Sequence, residues 1–302
     1  MELRQLQAFT TVADHGSFTT AASRLRLTQS AISHQIKALE EACGVVLFDR
    51  SSRVVRLTDA GQVFLGHAKC ILAQVENARV AMAELAGGTR GHCRFASLPS
   101  VAAYLLPPAI ATFQQQYPDV ELHLMETLQA QGLVAVQQGS VDFGILGLPV
   151  DDTHLQSMSL MRDEFVLLVP QNHHLARRQS ITLAELAHER FILYPKGGGG
   201  RDQFIVACHQ VGFKPQVAFE SDDRETILGL VTAGVGITLM PRLITQHTRV
   251  DGPVMVEGLE PRLFREVGLV WNPQRYLPQA ARHLMDLLGT LVRTHETQGM
   301  GS

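Results

Sequence analysis

Apolar side chains recur at helical spacing through the first 60 residues. Leu3, Leu6, Phe9, Val12 and Ala13 form one stripe that Gly16 ends, and Ser17 caps a second, short helix through Phe18, Ala21, Ala22 and Leu25. After only Arg26 and Leu27, Thr28 is placed to cap a third helix, TQSAISHQIKALEE, which has two opposed faces. Ile32, Ile36, Leu39 and Cys43 repeat on one side, while Ser30, Ser33, His34 and Lys37 repeat on the other. The apolar Val46, Leu47 and Phe48, the polar run Asp49 to Arg53 and the return Val54 to Leu57 predict a hairpin with arginines at its tip. Thr58 and Asp59 then open a helix to about Ala86, in which Phe64, Ala68, Ile71, Val75, Ala78, Met82 and Leu85 alternate steps of four and three. That is a heptad seam. About 29 residues make a rod of about 43 Å, too long for a small neighbouring domain to cover, so it is expected to pair with another chain. Gly87, Gly88, Thr89, Arg90 and Gly91 form a hinge.

From residue 92 onward, short apolar runs alternate with helical stretches. Strands are expected at Cys93 to Ala96, Val120 to Met125, Phe143 to Leu146, Phe165 to Val169, Phe191 to Tyr194, Val217 to Phe219, Ile237 to Met240 and Val267 to Trp271. Helices are expected at Leu105 to Gln116, Gln131 to Gln138, Gln203 to Val211, Arg224 to Thr232 and Gln279 to Arg293. Such alternation predicts an α/β fold with largely parallel sheets, and about 210 residues suit two lobes better than one sheet.

Charge sharpens this division only slightly. Residues 1–58 hold seven basic side chains against five acidic ones, which leaves 19 basic against 24 acidic for the rest of a chain of 302 residues with net charge −3. A mildly basic head on an acidic body suits a nucleic-acid module joined to something else. The four cysteines lack C-x-x-C spacing, which argues against a disulfide framework or a structural zinc site and for a reducing cytoplasm. No signal region or apolar run of membrane-spanning length is seen, so neither export nor membrane insertion is expected.

The chemistry follows from these placements. Short polar donors and acceptors beside a lysine suit base edges and phosphates in a major groove, and a hairpin with a cationic tip beside a helix-turn-helix is a wing for the DNA backbone. The alternative for each is a solvated surface. In the second region, Ser97, Leu98, Ser100 and Val101 lie where a strand leads into a helix, so free N–H groups there can hold an anion, with the Ser100 hydroxyl as an added donor. Tyr194, the glycine run that includes Gly199 and Gly200, and Arg201 follow a later strand; the glycines allow close approach and the arginine offers a two-pronged clamp for an acid. A loop and a surface ion pair are the alternatives. There is no G-x-S-x-G elbow, Walker lysine loop or H-E-x-x-H helix, so neither catalysis nor a metal site is expected. His173 and His174 are adjacent and on a regular strand would point apart, so a solvated loop is the better reading. Cys208 stands alone, against a disulfide switch.

The strings L-x-x-L-x-x-F, G-S-F-x-x-A-A-x-x-L, T-Q-S-A-I-S-x-Q-I-x-x-L-E, G-x-x-L-F-x-R and L-T-x-A-G run without a gap from Leu3 to Gly61. In them the chain resembles the LysR-type transcriptional regulators. Looser matches follow in F-x-x-x-Y-P, Gly139 to Gly144 and Ala233 to Pro241. The resemblance implies a winged helix-turn-helix DNA-binding domain at 1–58, a dimerising linker helix at 59–88 and, at 89–302, a two-lobed α/β regulatory domain similar to periplasmic binding proteins. Lobe I would comprise 92–162 with 268–302, and lobe II 163–267. It places Gln29, Ser30, Ser33 and His34 on base edges, with Thr28, Lys37, Arg50 and Arg53 on backbone. Ser30 stands where the family commonly has proline, and His34 where arginine is common. Gln129 is implied to face the cleft between lobes. Implied partners are double-stranded promoter DNA, a small and anionic effector in place of any cofactor, a second copy in dimers that pair into tetramers, and RNA polymerase, with no membrane. A solute-binding or enzymatic α/β module with a helical dimerisation head remains the alternative.

Overall fold

The computed structural model describes residues 1–49, 55–85, 91–198, 200–245 and 252–299. The hairpin tip with Arg50 and Arg53, most of the expected hinge, and Gly199 lie outside the described residues.

The head is built from α1 (Leu3–His15), α2 (Phe18–Leu25) and α3 (Gln29–Cys43), followed by the paired strands β1 (Phe48–Asp49) and β2 (Arg56–Leu57). Its boundaries have local causes. Gly16 ends α1 in the left-handed region at φ 61, the Ser17 side chain accepts from Thr20 N–H, and Thr28 accepts from Ala31 N–H at the start of α3. Ile32, Ile36 and Leu39 are fully buried against Leu6, Phe9 and Val12, and the Phe9 ring meets Phe48 and Phe64 at 5.3 and 5.2 Å. Glu40 Oε1 accepts from Leu47 and Phe48 N–H and so fastens the hairpin to α3.

Helix α4 (Asp59–Leu85) extends from this head, and its seam divides in a way the heptad pattern did not foretell. Phe64, Leu65, Ala68 and Leu72 pack on the head. Ala73, Asn77 and Val80 are buried too, and Asn77 Oδ1 accepts from Arg94 Nη2 at 3.5 Å, so the chain's own next domain covers that stripe. Arg275 Nη2 reaches Cys70 Sγ and Gln137 O as a second tie. Ile71, Ala78 and Met82 stay exposed.

The α/β region continues through β3 (His92–Ser97), α5 (Pro99–Tyr104), α6 (Leu106–Gln116), β4 (Glu121–Glu126), α7 (Gln129–Gln138), β5 (Phe143–Leu148), β6 (Gln156–Val169) and β7 (Ile181–Thr182). After a 3-10 helix (Leu183–His188) come β8 (Arg190–Leu193), α8 (Arg201–Gln210), β9 (Gln216–Glu220), α9 (Arg224–Thr232), β10 (Thr238–Pro241), α10 (Arg242–Thr245), β11 (Val254–Val256), β12 (Leu259–Glu260), β13 (Phe264–Trp271) and α11 (Gln279–Gly299). One sheet has the order β10-β6-β13-β5-β3-β4, with β11 also on β6. Only its β5-β3-β4 end is parallel; β10, β6, β13 and β5 are joined antiparallel. The largely parallel expectation is therefore corrected. The chain passes out to the second lobe along β6 and returns along β13, so the two crossing strands must run in opposite directions. They pair from Trp271↔Gln156 to Arg265↔Asp163 and Phe264↔Glu164, beyond which β6 pairs with β10 and β11 instead. Each lobe has its own core: stacked Phe95 and Phe143 with Leu284 and Leu288 in one, and Phe191, Phe204, Leu167 and Leu239 in the other.

Candidate functional site

On α3 the polar stripe faces outward. Thr28, Gln29, Ser30, His34 and Lys37 are exposed and Ser33 is half-buried. The Thr28 hydroxyl serves as the cap and lies 3.0 Å from Ser30 Oγ, and Lys37 makes only a loose, exposed pair with Glu41 at 3.8 Å. Such a pair contributes little and leaves the ammonium available. The exposed Arg56 on β2 adds a described cation to the same hairpin.

A cleft of about 900 Å³ lies between the lobes. Leu98, Ser100, Gln129, Tyr194, Gly200 and Arg201 line it, which brings together the first turns of α5, α7 and α8 and the chain that leads into α5 and α8. Ser97 and Val101 do not line it. Both are fully buried, and Ser97 Oγ donates to Leu98 O. The expected nest of free amides at the start of α5 is smaller than the sequence suggested. Leu98 N–H donates to Ile145 O, Val101 and Ala102 N–H both donate to Leu98 O, and Pro99 has none, so within this turn Ser100 alone keeps an N–H with no partner among the described residues. Nor does Ser100 cap α5, since its hydroxyl accepts from Arg265 Nη1 at 3.0 Å.

Arg201 differs from expectation, and Gln129 lines the cleft as expected but with its amide engaged. Arg201 is no open clamp: its Nη1 donates to Tyr194 O at 3.0 Å and pairs with Glu220 Oε1 at 2.7 Å. Gln129 spends its amide on Gly147, with Nε2 donating to the carbonyl at 2.8 Å and Oε1 accepting the N–H at 2.7 Å. It locks α7 to β5 at the cleft wall. Gly200 holds φ +80, and a Cβ there would stand 2.1 Å from the Phe165 ring, so glycine is required by backbone and by space together.

Sequence reasoning missed Arg265, the central polar group of the cleft floor. It is 7% exposed, and its Nε and Nη2 both donate to Asp163 Oδ2, at 3.0 and 2.8 Å, while Asp163 Oδ1 accepts Leu243 N–H. Burial lowers the guanidinium pKa from its usual value, against the opposing pull of Asp163. The only signal in the chain was its place, with Glu266, just ahead of the apolar run Val267 to Trp271, and its partner is 102 positions away. Arg224 was missed likewise; it lines the cleft, and its buried Nε has no partner among the described residues. Burial pushes the Tyr194 hydroxyl up to about 12, with the nearby Arg224 and Arg265 charges opposing.

The histidine pair also departs from expectation. His173 and His174 lie in the turn after β6, where the backbone is not extended, so both rings converge on Glu189 at 3.4 Å each. The Cys208 thiol is buried, and desolvation pushes it up to about 12.

A family model for the LysR substrate binding domain matches residues 86–293, and one for the bacterial regulatory helix-turn-helix protein, lysR family, matches residues 3–62. The chain belongs to the LysR-type transcriptional regulators. This LysR-type chain is 34% identical over 289 residues to the transcriptional dual regulator GltC of Bacillus subtilis, covering 95% of itself and 96% of GltC. It is 31% identical over 294 residues to the DNA-binding transcriptional dual regulator OxyR of Escherichia coli K12, with coverage of 95% and 96%. Among solved structures, a full-length OxyR variant of Pseudomonas aeruginosa superposes with TM-score 0.72 at 26% identity, covering 97% of this chain and 95% of that one. CbnR in complex with its target DNA superposes with TM-score 0.71 at 23% identity over 97% and 99% of the two chains, which speaks for the fold alone. The LysR-type chain is thus a DNA-binding regulator with an effector-binding domain. The enzymatic alternative is set aside.

Proposed function

We propose that this regulator reads promoter DNA through Gln29, Ser30, Ser33 and His34, holds the backbone with Thr28, Lys37, Arg50 and Arg53, and responds to a small anionic metabolite in the inter-lobe cleft. The observation that supports an anion is the distribution of donors and acceptors. Donors with no acceptor, Ser100 N–H and Arg224 Nε–H, lie in partly or fully screened positions on the same lining as buried Arg265, whereas the five carboxylates of that lining, Glu126, Asp202, Asp222, Asp223 and Glu266, are all exposed. Charge counts for more where water is excluded. Ser100, Arg265, Arg224 and Tyr194 are therefore the contacts we assign to the effector, with Leu98, Gln129, Gly200 and Arg201 as wall and support, and Gly199 as a sequence-based member.

Ligand that binds one inter-lobe angle better than another shifts the balance between them. The strands that set this angle, β6 and β13, carry Asp163 and Arg265. Exposed Ile71, Ala78 and Met82 on α4 are assigned to pairing of two chains, whose dimers associate into tetramers in the cytoplasm and pass the change to DNA and RNA polymerase. No described helix is long and apolar enough to cross a membrane. The peroxide response named for some relatives is not assigned to this chain, because its Cys208 thiol is buried and protonated.

The test is a thermal-shift screen of small mono- and dicarboxylates on the full chain. A stabilising carboxylate whose effect disappears in Arg224→Gln, with DNA binding retained, supports the reading. Stabilisation by neutral or cationic compounds alone contradicts it.

A further inference from the structure

Lobe II holds a second cluster of chemically competent side chains, none of which lines the cleft. His173 Nε2 lies 3.4 Å from Glu189 Oε2, and His174 Nε2 lies 3.4 Å from Glu189 Oε1. The two imidazole centroids are 4.5 Å apart. Donor atoms of all three residues fall within 4.8 Å of one another, the one such group among the described residues. In a tetrahedral site with ligands at about 2.0 to 2.1 Å, donor atoms stand about 3.4 Å apart. The two nitrogen-to-carboxylate spacings already have that value.

We propose that His173, His174 and Glu189 bind a divalent transition-metal ion of the zinc class. Two imidazoles and one carboxylate suit borderline ions such as Zn²⁺ and do not suit Mg²⁺ or Ca²⁺, which take oxygen ligands. Three protein ligands leave a fourth position for water. Side chains of His173 and Glu189 are 18% exposed, so half of the site is already ordered, while His174 at 69% exposed is the ligand free to adjust. One contact opposes binding. Leu175 N–H donates to His173 Nδ1 at 3.4 Å, and when Nε2 holds the metal its proton moves to Nδ1, so that long contact is given up.

The position of the site gives it a consequence. His173 and His174 follow the end of β6, the strand that carries Asp163, and Glu189 immediately precedes β8, whose far end leads into Tyr194. An ion here clips together the trailing end of a crossing strand and the leading end of a strand that feeds the cleft.

The experiment uses the full chain, freed of metal with chelator, and titrates it with Zn²⁺ and with Co²⁺ as a spectroscopic probe. One saturable ion per chain is expected, with the intense visible bands of tetrahedral cobalt. His174→Ala and Glu189→Gln should each weaken binding about tenfold or more, a loss seen even for outer-shell partners of metal sites. His123→Ala, which removes an exposed histidine elsewhere, should leave it unchanged. Folding of each variant is checked by circular dichroism, and exposed His174 is the one least able to disturb it. Equal affinity in wild type, His174→Ala and Glu189→Gln, or cobalt spectra of octahedral type only, would overturn the proposal.

Discussion

Arg265 Nη1 donates to Ser100 Oγ over 3.0 Å, although the two residues are 165 positions apart. The contact joins the strand that returns from lobe II to the first turn of α5 in lobe I, and the same guanidinium is held by Asp163 on the outgoing strand. One side chain therefore fixes both crossings and the cleft floor.

Removing it leaves Asp163, 4% exposed, without its counter-charge. Arg265→Ala is expected to destabilise the chain by about 3 to 5 kcal/mol, the range for breaking a buried ion pair. Ser100→Ala, which strands one guanidinium N–H, should cost about 1 to 3 kcal/mol. Urea denaturation reads both. An Arg265→Ala loss below about 1 kcal/mol, the range of exposed pairs, would show that water reaches the pair.

Gly200→Ala combines a left-handed backbone with a clash on the Phe165 ring. The backbone strain alone is expected to cost about 1 to 3 kcal/mol. Because Gly200 lines the cleft, ligand response should fall with it, and thermal melting with and without the stabilising carboxylate checks both. An unchanged melting temperature would refute the fit.

Three groups set an alkaline limit on stability, the first of them Cys93, whose thiol is pushed far above its usual value by burial and then by the Asp142 charge. Cys208, ordinarily near 9.0, and Tyr194, ordinarily near 10.0, are each pushed up to about 12 by burial. All three hold their protons more tightly folded than unfolded, so their contribution is complete below about pH 9 and is lost as pH rises toward 12 and beyond. Denaturation midpoints should hold up to about pH 9 and fall above it. At neutral pH, Cys208 should react with a thiol reagent only after unfolding, and peroxide should leave DNA binding unchanged; rapid native-state labelling of Cys208 contradicts this.

On α4, Met82 is 62% exposed and Ile71 37%. Ile71→Asp with Met82→Glu should give monomers by light scattering and lose tight promoter binding, while the melting temperature of the head stays put. A dimer that survives both changes moves the interface elsewhere.

Much of the head was legible because its signals are local. Gly16, Ser17 and Thr28 terminate or cap helices within a few residues of themselves, and Ile32, Ile36 and Leu39 declare the buried face by spacing. Strands β3, β5 and β8 were likewise marked by apolar runs. The start of β6, Gln156 to Glu164, was missed because only Met158, Leu160 and Met161 in it are apolar and its partner, β13, is about a hundred positions away. Arg265 was invisible for the same reason, as its meaning depends on Asp163 and Ser100. Arg201 had the right chemistry for a clamp, but Glu220, brought alongside by the fold, occupies it. The histidines were misjudged because adjacent side chains diverge on a strand, whereas a turn lets both rings approach Glu189.

The central claim is that the outer face of α3 reads base sequence. Fluorescence anisotropy of the full chain on its own promoter DNA and on a scrambled duplex, across a salt series, tests it most directly. Gln29→Ala and Ser33→Ala should each lose about 1 to 3 kcal/mol on the promoter and little on the scrambled duplex, whereas Lys37→Ala and Arg53→Ala weaken both alike and flatten the salt dependence. Equal losses on both duplexes from all four substitutions would contradict the account.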